Sequence, residues 1–241
     1  MLDPARRRAR DHLVVATLSV NALVFALSRP AAMRRGLHDL IGVVFLFAAL
    51  HFIRRDDDDT ARYGVRLEGL FPGATGDARS LVRTLWEALP SAARETGVAL
   101  AIAAIVLPLY ALAWPLFNHP VGPRHLGLDG ARGRELATEL LAVAFTEEML
   151  FRGYVLTRVS DALGVSPLTL RSRRADLAKA LGITSALFAL THVVVDPTLP
   201  RAVVFFPALL FGLLRVWRGG IGAAVVLHAV SNLFERWLEG R

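Results

Sequence analysis

The chain contains no cysteine, and of its 28 basic residues only Lys179 is a lysine. Without cysteine it can form no disulfide, carry no thiol nucleophile and offer no thiolate to a metal. There is no internal repeat, no low-complexity tract and no H-E-x-x-H run of the kind that places two histidines and a base on one metal-binding helix. Nor do the arginines form one basic stripe. They fall between apolar runs, a pattern suited to lipid headgroups and topology control and poorly suited to nucleic acid. What remains is strongly apolar: 54% of residues are hydrophobic and the mean hydropathy is +0.45. That balance belongs to a chain whose solvent is lipid.

Apolar stretches run over residues 13–28, 36–53, 97–117, 136–156, 177–195, 202–217 and 220–238. Each is near the length that crosses a bilayer as a helix. The expected fold is therefore an all-α, polytopic transmembrane helical bundle of about seven spans. Arg6, Arg7, Arg8 and Arg10 precede the first run and Ala26-Leu27-Ser28 is a weak cleavage-like triplet, as in a signal peptide. A second apolar run after only seven residues favours a hairpin that stays in the membrane. Basic residues are richer in the connecting segments that share a side with the amino terminus, which places that end in the cytoplasm and the carboxyl terminus outside. We divide the chain into an amino-terminal hairpin with a polar linker, 1–96, and a core, 97–241. The linker carries the acidic run Asp56–Asp59, read as a solvated segment, and a surface helix is expected over 78–89, where Leu81, Leu85, Trp86 and Leu89 recur at helical spacing. The arginine and alanine bias reads as a GC-rich bacterium, hence a multi-pass protein of the bacterial inner membrane with the lipid bilayer as its first partner.

An ionisable side chain at mid-span costs at least about 2.5–3.5 kcal/mol, so each one calls for a partner or a purpose. The fourth run contains Glu147, Glu148 and Arg152. Glu148 and Arg152, four apart, share a helix face, while Glu147 points about 100° away. One carboxylate is thus neutralised and the other is left for chemistry. The fifth run carries Phe188 and His192. The seventh carries His228 and Asn232, again four apart on one face. His12, His38, His51, His119 and His125 lie at span ends or in loops and read as interfacial or solvated. Glu139 is the rival acid, nearer the water and expected to snorkel or cap its span.

Peptide hydrolysis needs an activated water, a general base and donors for the oxyanion. A carboxylate desolvated in a bundle is suited to accept a proton near neutral pH. Glu147 is the expected base, His192 holds the same water, and His228 with Asn232 offers N–H donors to the oxyanion. The alternative is a zinc site with Glu147, His192 and His228 as three ligands and water as the fourth.

The three patterns E-E-x-x-x-R, F-x-x-x-H and H-x-x-x-N occur here in that order, as Glu147, Glu148 and Arg152, then Phe188 and His192, then His228 and Asn232, with Phe151 and Gly153 extending the first. In these residues the chain resembles the CAAX-protease and bacteriocin-processing family over about residues 97–238. The resemblance implies an intramembrane endopeptidase in which the first glutamate and first histidine activate water and the later histidine and asparagine stabilise the oxyanion. It implies a metal-free glutamate mechanism in preference to the older zinc description, so no cofactor is expected, with zinc as the alternative. The implied substrate is a membrane-anchored protein or peptide, cut near a carboxyl-terminal segment as in a myxosortase-like enzyme; nucleic acid is not an expected partner. Two rival readings are a catalytically silent scaffold or bacteriocin-immunity protein and a small transporter using the same ionisable residues as a proton relay.

Overall fold

The computed structural model describes residues 3–37, 40–56, 60–65, 78–116 and 130–240, and among them there are helices and connecting turns but no strand. Asp57 to Asp59 of the acidic run, and His38, His119 and His125, lie outside the described residues. Each of the seven apolar runs is mostly helical where described, with turns at Val203 and Val204 and a bend at Gly220 and Ile221. Among the described residues three helices are long and apolar enough to cross a membrane: Pro4–Leu27, Trp86–Leu116 and Arg174–Val195; Leu40–Ile53 is a shorter apolar helix. The chain is an all-α helical membrane protein.

The helices fall into two compact units that alternate along the sequence, Met1–Arg66 with Thr146–Ile221 and Leu67–Phe145 with Gly222–Arg241. The first unit contains α1 (Pro4–Leu27), α2 (Pro30–Met33), α3 (Leu40–Asp56), α7 (Leu156–Leu163), α8 (Arg174–Val195), α9 (Leu199–Ala202) and α10 (Phe205–Arg218). Asp3 caps α1, its carboxylate accepting from the Ala5 N–H, and Pro4 opens the helix where its missing N–H costs nothing. Ala16, Val20 and Val24 recur every four residues and are buried where α1 packs against α3, α7 and α8. Lipid gives helices no hydrophobic drive toward one another, so small residues that allow close contact set the packing. Gly212 illustrates this at the contact of α10 with α8, since a Cβ there would lie 2.8 Å from Leu181 Cδ2.

The second unit is built on α4 (Ala78–Ala113) and α11 (Gly222–Glu239), with α5 (Gly130–Thr138) and the start of the fourth apolar run against α11. Ala99, Ala103 and Leu107, again four apart, form the buried stripe of α4, while Leu100, Ile105, Leu109 and Leu112 are exposed and face lipid. The expected surface helix over 78–89 is not a separate element. Its residues are the first turns of α4, which continues through Pro90 and Pro108 for 36 residues. At 1.5 Å per residue that is about 54 Å, well beyond the roughly 30 Å hydrocarbon core, so the end bearing Arg83 and Glu87 projects past it.

The fourth apolar run departs from a regular helix. Glu139–Ala144 and Met149–Val155 are π-helical, closing i→i+5 bonds such as Phe145 N–H to Leu140 C=O and Leu156 N–H to Phe151 C=O. Between them α6 (Phe145–Glu148) is one ordinary turn, and it carries both motif carboxylates. Such π stretches are rare and concentrate at functional sites.

Candidate active site

In the first unit, α6, the π stretch after it and α8 bring together five of the residues singled out in the sequence. Arg152 and Glu148 form an ion pair of 2.9 Å with both side chains fully shielded. The Arg152 guanidinium also donates to Ala208 C=O at 3.2 Å and lies over the Phe188 ring, 4.3 Å from its centroid. Gly153 follows because the Tyr63 carbonyl comes close: a Cβ would meet its oxygen at 3.3 Å. The E-E-x-x-x-R-G pattern is therefore a buried charge pair followed by a backbone contact.

Phe188 joins the first two motifs physically. Its ring meets Phe151 edge-on at 5.0 Å and the His192 imidazole at 4.4 Å. Its backbone carbonyl lies 3.0 Å from His192 Nδ1. A carbonyl only accepts, so Nδ1 carries a proton, and whenever the ring is neutral its lone pair is at Nε2. That Nε2 lies 3.9 Å from Glu147 Oε2. The separation is too long for a direct hydrogen bond and short enough for one water to donate to both atoms. Side-chain exposure separates the two glutamates: 12% for Glu147 against none for Glu148. Glu148 is thus paired with Arg152, while Glu147 stands beside His192.

In the second unit, His228 is 95% buried on α11, its exposure being 5%. Asn232, one turn on, donates from Nδ2 to Glu139 Oε2 at 2.9 Å. Arg236, a further turn along, pairs with Glu139 Oε1 and lies 3.4 Å from Glu135. The expectation that Glu139 snorkels to water is thereby corrected. Only 1% of it is exposed, and two side chains from α11 hold its two oxygens. Arg236 was missed in the sequence, although the signal was there: His228, Asn232 and Arg236 recur every four residues on one helix, as do Glu135 and Glu139 on theirs. His12 and His51 are exposed, as expected of interfacial residues.

Glu147 and His192 supply a carboxylate and an imidazole, two of the three protein ligands a catalytic zinc takes. His228, the third of the zinc alternative, belongs to the other unit. Residues 135–234 match the family described as Type II CAAX prenyl endopeptidase Rce1-like. The CAAX-protease family read from the three short motifs is the one matched, and all seven motif residues fall inside the Rce1-like stretch. The match supports a membrane protease acting on peptide bonds. No curated protein and no solved structure matches the chain.

Proposed function

We propose that the protein is an intramembrane endopeptidase in which Glu147 and His192 activate the attacking water, with residues 97–241 as the protease core. The supporting observation is the 3.9 Å separation of Glu147 Oε2 from His192 Nε2, with the imidazole tautomer fixed by Phe188 C=O. A water donating one hydrogen to each acceptor turns a lone pair toward the scissile carbonyl. As its oxygen bonds to that carbon, the proton passes to Glu147 and the carbonyl oxygen becomes an oxyanion, met by N–H donors from His228 and Asn232. Collapse of the intermediate expels the amine, which takes the proton back from Glu147. Glu148 and Arg152 do not react; they hold the helix on which Glu147 sits.

The proposed substrate is a membrane-anchored protein or peptide trimmed near its carboxyl-terminal segment, and the proposed location is the bacterial inner membrane. The experiment is carboxyl-terminal proteomics of the source organism with wild-type protein and with Glu147→Gln. One or a few uncleaved membrane-anchored precursors should accumulate in the variant. Identical profiles, or wild-type cleavage of an isolated precursor by the variant, would remove Glu147 from its role.

A further inference from the structure

The carboxylate of Glu139 is divided between two partners: Oε2 receives the Asn232 amide and Oε1 receives Arg236. With each oxygen engaged, the plane of the carboxylate is fixed. A carboxylate only accepts hydrogen bonds, so Asn232 must turn its NH₂ and not its C=O toward Glu139. The rotation of an asparagine amide about its last bond is otherwise broad and roughly two-fold. A flipped amide would present an oxygen where the oxyanion develops, replacing attraction with repulsion.

We infer that Glu139 is a positioning residue for Asn232: it engages one Nδ2–H and so keeps the second available as a donor, while Arg236 compensates its charge and sets its orientation. The inference rests on the oxyanion-donor role proposed above for Asn232. It explains why an acid is retained, almost wholly buried, two turns before the motif glutamates and one bond away from a residue of the last motif. Glu139 touches no reacting atom, so its effect on turnover runs through the orientation of the amide.

Two measurements on the full chain test this. The first needs no substrate. The protein has three asparagines and no glutamine, so a sample labelled with ¹⁵N-asparagine shows three side-chain amide groups, and Asn232→Ala assigns one of them. In the wild type the two Nδ2 protons of Asn232 should be widely separated, one shifted downfield by the carboxylate. In Glu139→Leu/Arg236→Leu, which removes the buried carboxylate together with its cation and leaves Glu135, whose side chain is 22% exposed, to solvent, that separation should collapse. An Asn232 signal unchanged in this variant would overturn the inference.

The second is a double-mutant cycle on a quenched peptide spanning the bond cleaved in the accumulated precursor. Asn232→Ala should lower kcat by about 10²–10³-fold, as loss of one oxyanion donor does. Glu139→Leu/Arg236→Leu should lower it by about tenfold to a hundredfold with little change in KM, and should add nothing on top of Asn232→Ala. Glu139→Ala gives the same reading in a second background. A loss that multiplies with that of Asn232→Ala would make Glu139 merely structural. If Asn232→Ala cleaves normally, the donor assignment itself falls, and with it the catalytic meaning of the contact that the amide signals report.

Discussion

Glu148 and Arg152, one helical turn apart, neutralise each other in complete isolation from solvent, with 2.9 Å between Oε1 and Nη1. Breaking such a pair from one side leaves an uncompensated buried charge. Glu148→Gln should therefore destabilise the fold by about 3–5 kcal/mol, read as a lower unfolding midpoint and poorer yield in detergent. Glu148→Leu/Arg152→Leu should recover much of that loss, because replacing both partners with apolar groups leaves nothing orphaned. Equal stability of Glu148→Gln and wild type would refute the structural assignment.

Glu147→Gln presents the opposite profile. The amide keeps the size of the side chain but cannot take a proton from water, so turnover should drop by at least about 10²-fold. The unfolding midpoint should stay within a degree or two of wild type, because Glu147 is partly exposed and 3.9 Å from its imidazole neighbour. Parallel cleavage and melting measurements on the two glutamine variants separate the neighbouring glutamates.

Metal content distinguishes the two mechanisms considered for the site. Purified active protein should lack stoichiometric zinc and keep its activity through chelation, the oxyanion donors taking the place of a Lewis acid. Elemental analysis showing one zinc per chain, with activity lost on removal and restored on return, would make Glu147, His192 and His228 ligands instead.

The charge-derived orientation can be read with single cysteines, since the chain has none of its own. α8 is 22 residues long, about 33 Å, enough to put its ends on opposite faces. A cysteine replacing Val195, beyond His192, should react with a membrane-impermeant thiol reagent from outside. One replacing Arg171, before the helix, should react only after the membrane is opened. The reverse pattern would invert the topology and move the cut to the inner face.

Gly153 supplies a packing test. With the Tyr63 carbonyl 3.3 Å from where a Cβ would stand, Gly153→Ala should cost about 1–3 kcal/mol as an overpacked contact. Gly182, which has open space around the same position, should tolerate alanine with no loss. Comparable melting of the two variants would show that the carbonyl contact yields freely.

The helices and motifs were legible because lipid makes a simple demand: long apolar runs, with each charge inside them justified by a partner or a reaction. The Glu148–Arg152 pairing followed from spacing alone. Glu139 was misread because its two partners, Asn232 and Arg236, stand 93 and 97 residues further on; only the fold reveals that they meet. The surface helix merged into α4 because a proline within a helix is no reliable terminator in a membrane protein. The π stretches left no mark in the hydropathy pattern, which runs unbroken through the fourth apolar run.

Those wide turns also act as a phase setting. Met149–Val155 adds a residue to the winding between Glu148 and α7, and with that offset Asp161, which pairs within α7 with Arg158 at 3.2 Å, also reaches Arg62 at 2.7 Å. Removing one residue there, Val155 for instance, would let the segment relax to ordinary α spacing and swing α7 by about 100°. Every motif side chain would survive, yet α7 would turn a different face to α1 and Arg62 would lose its carboxylate. The count of residues between the motif and α7 is thus a specification in its own right, one that substitution scanning cannot detect and single-residue deletion can.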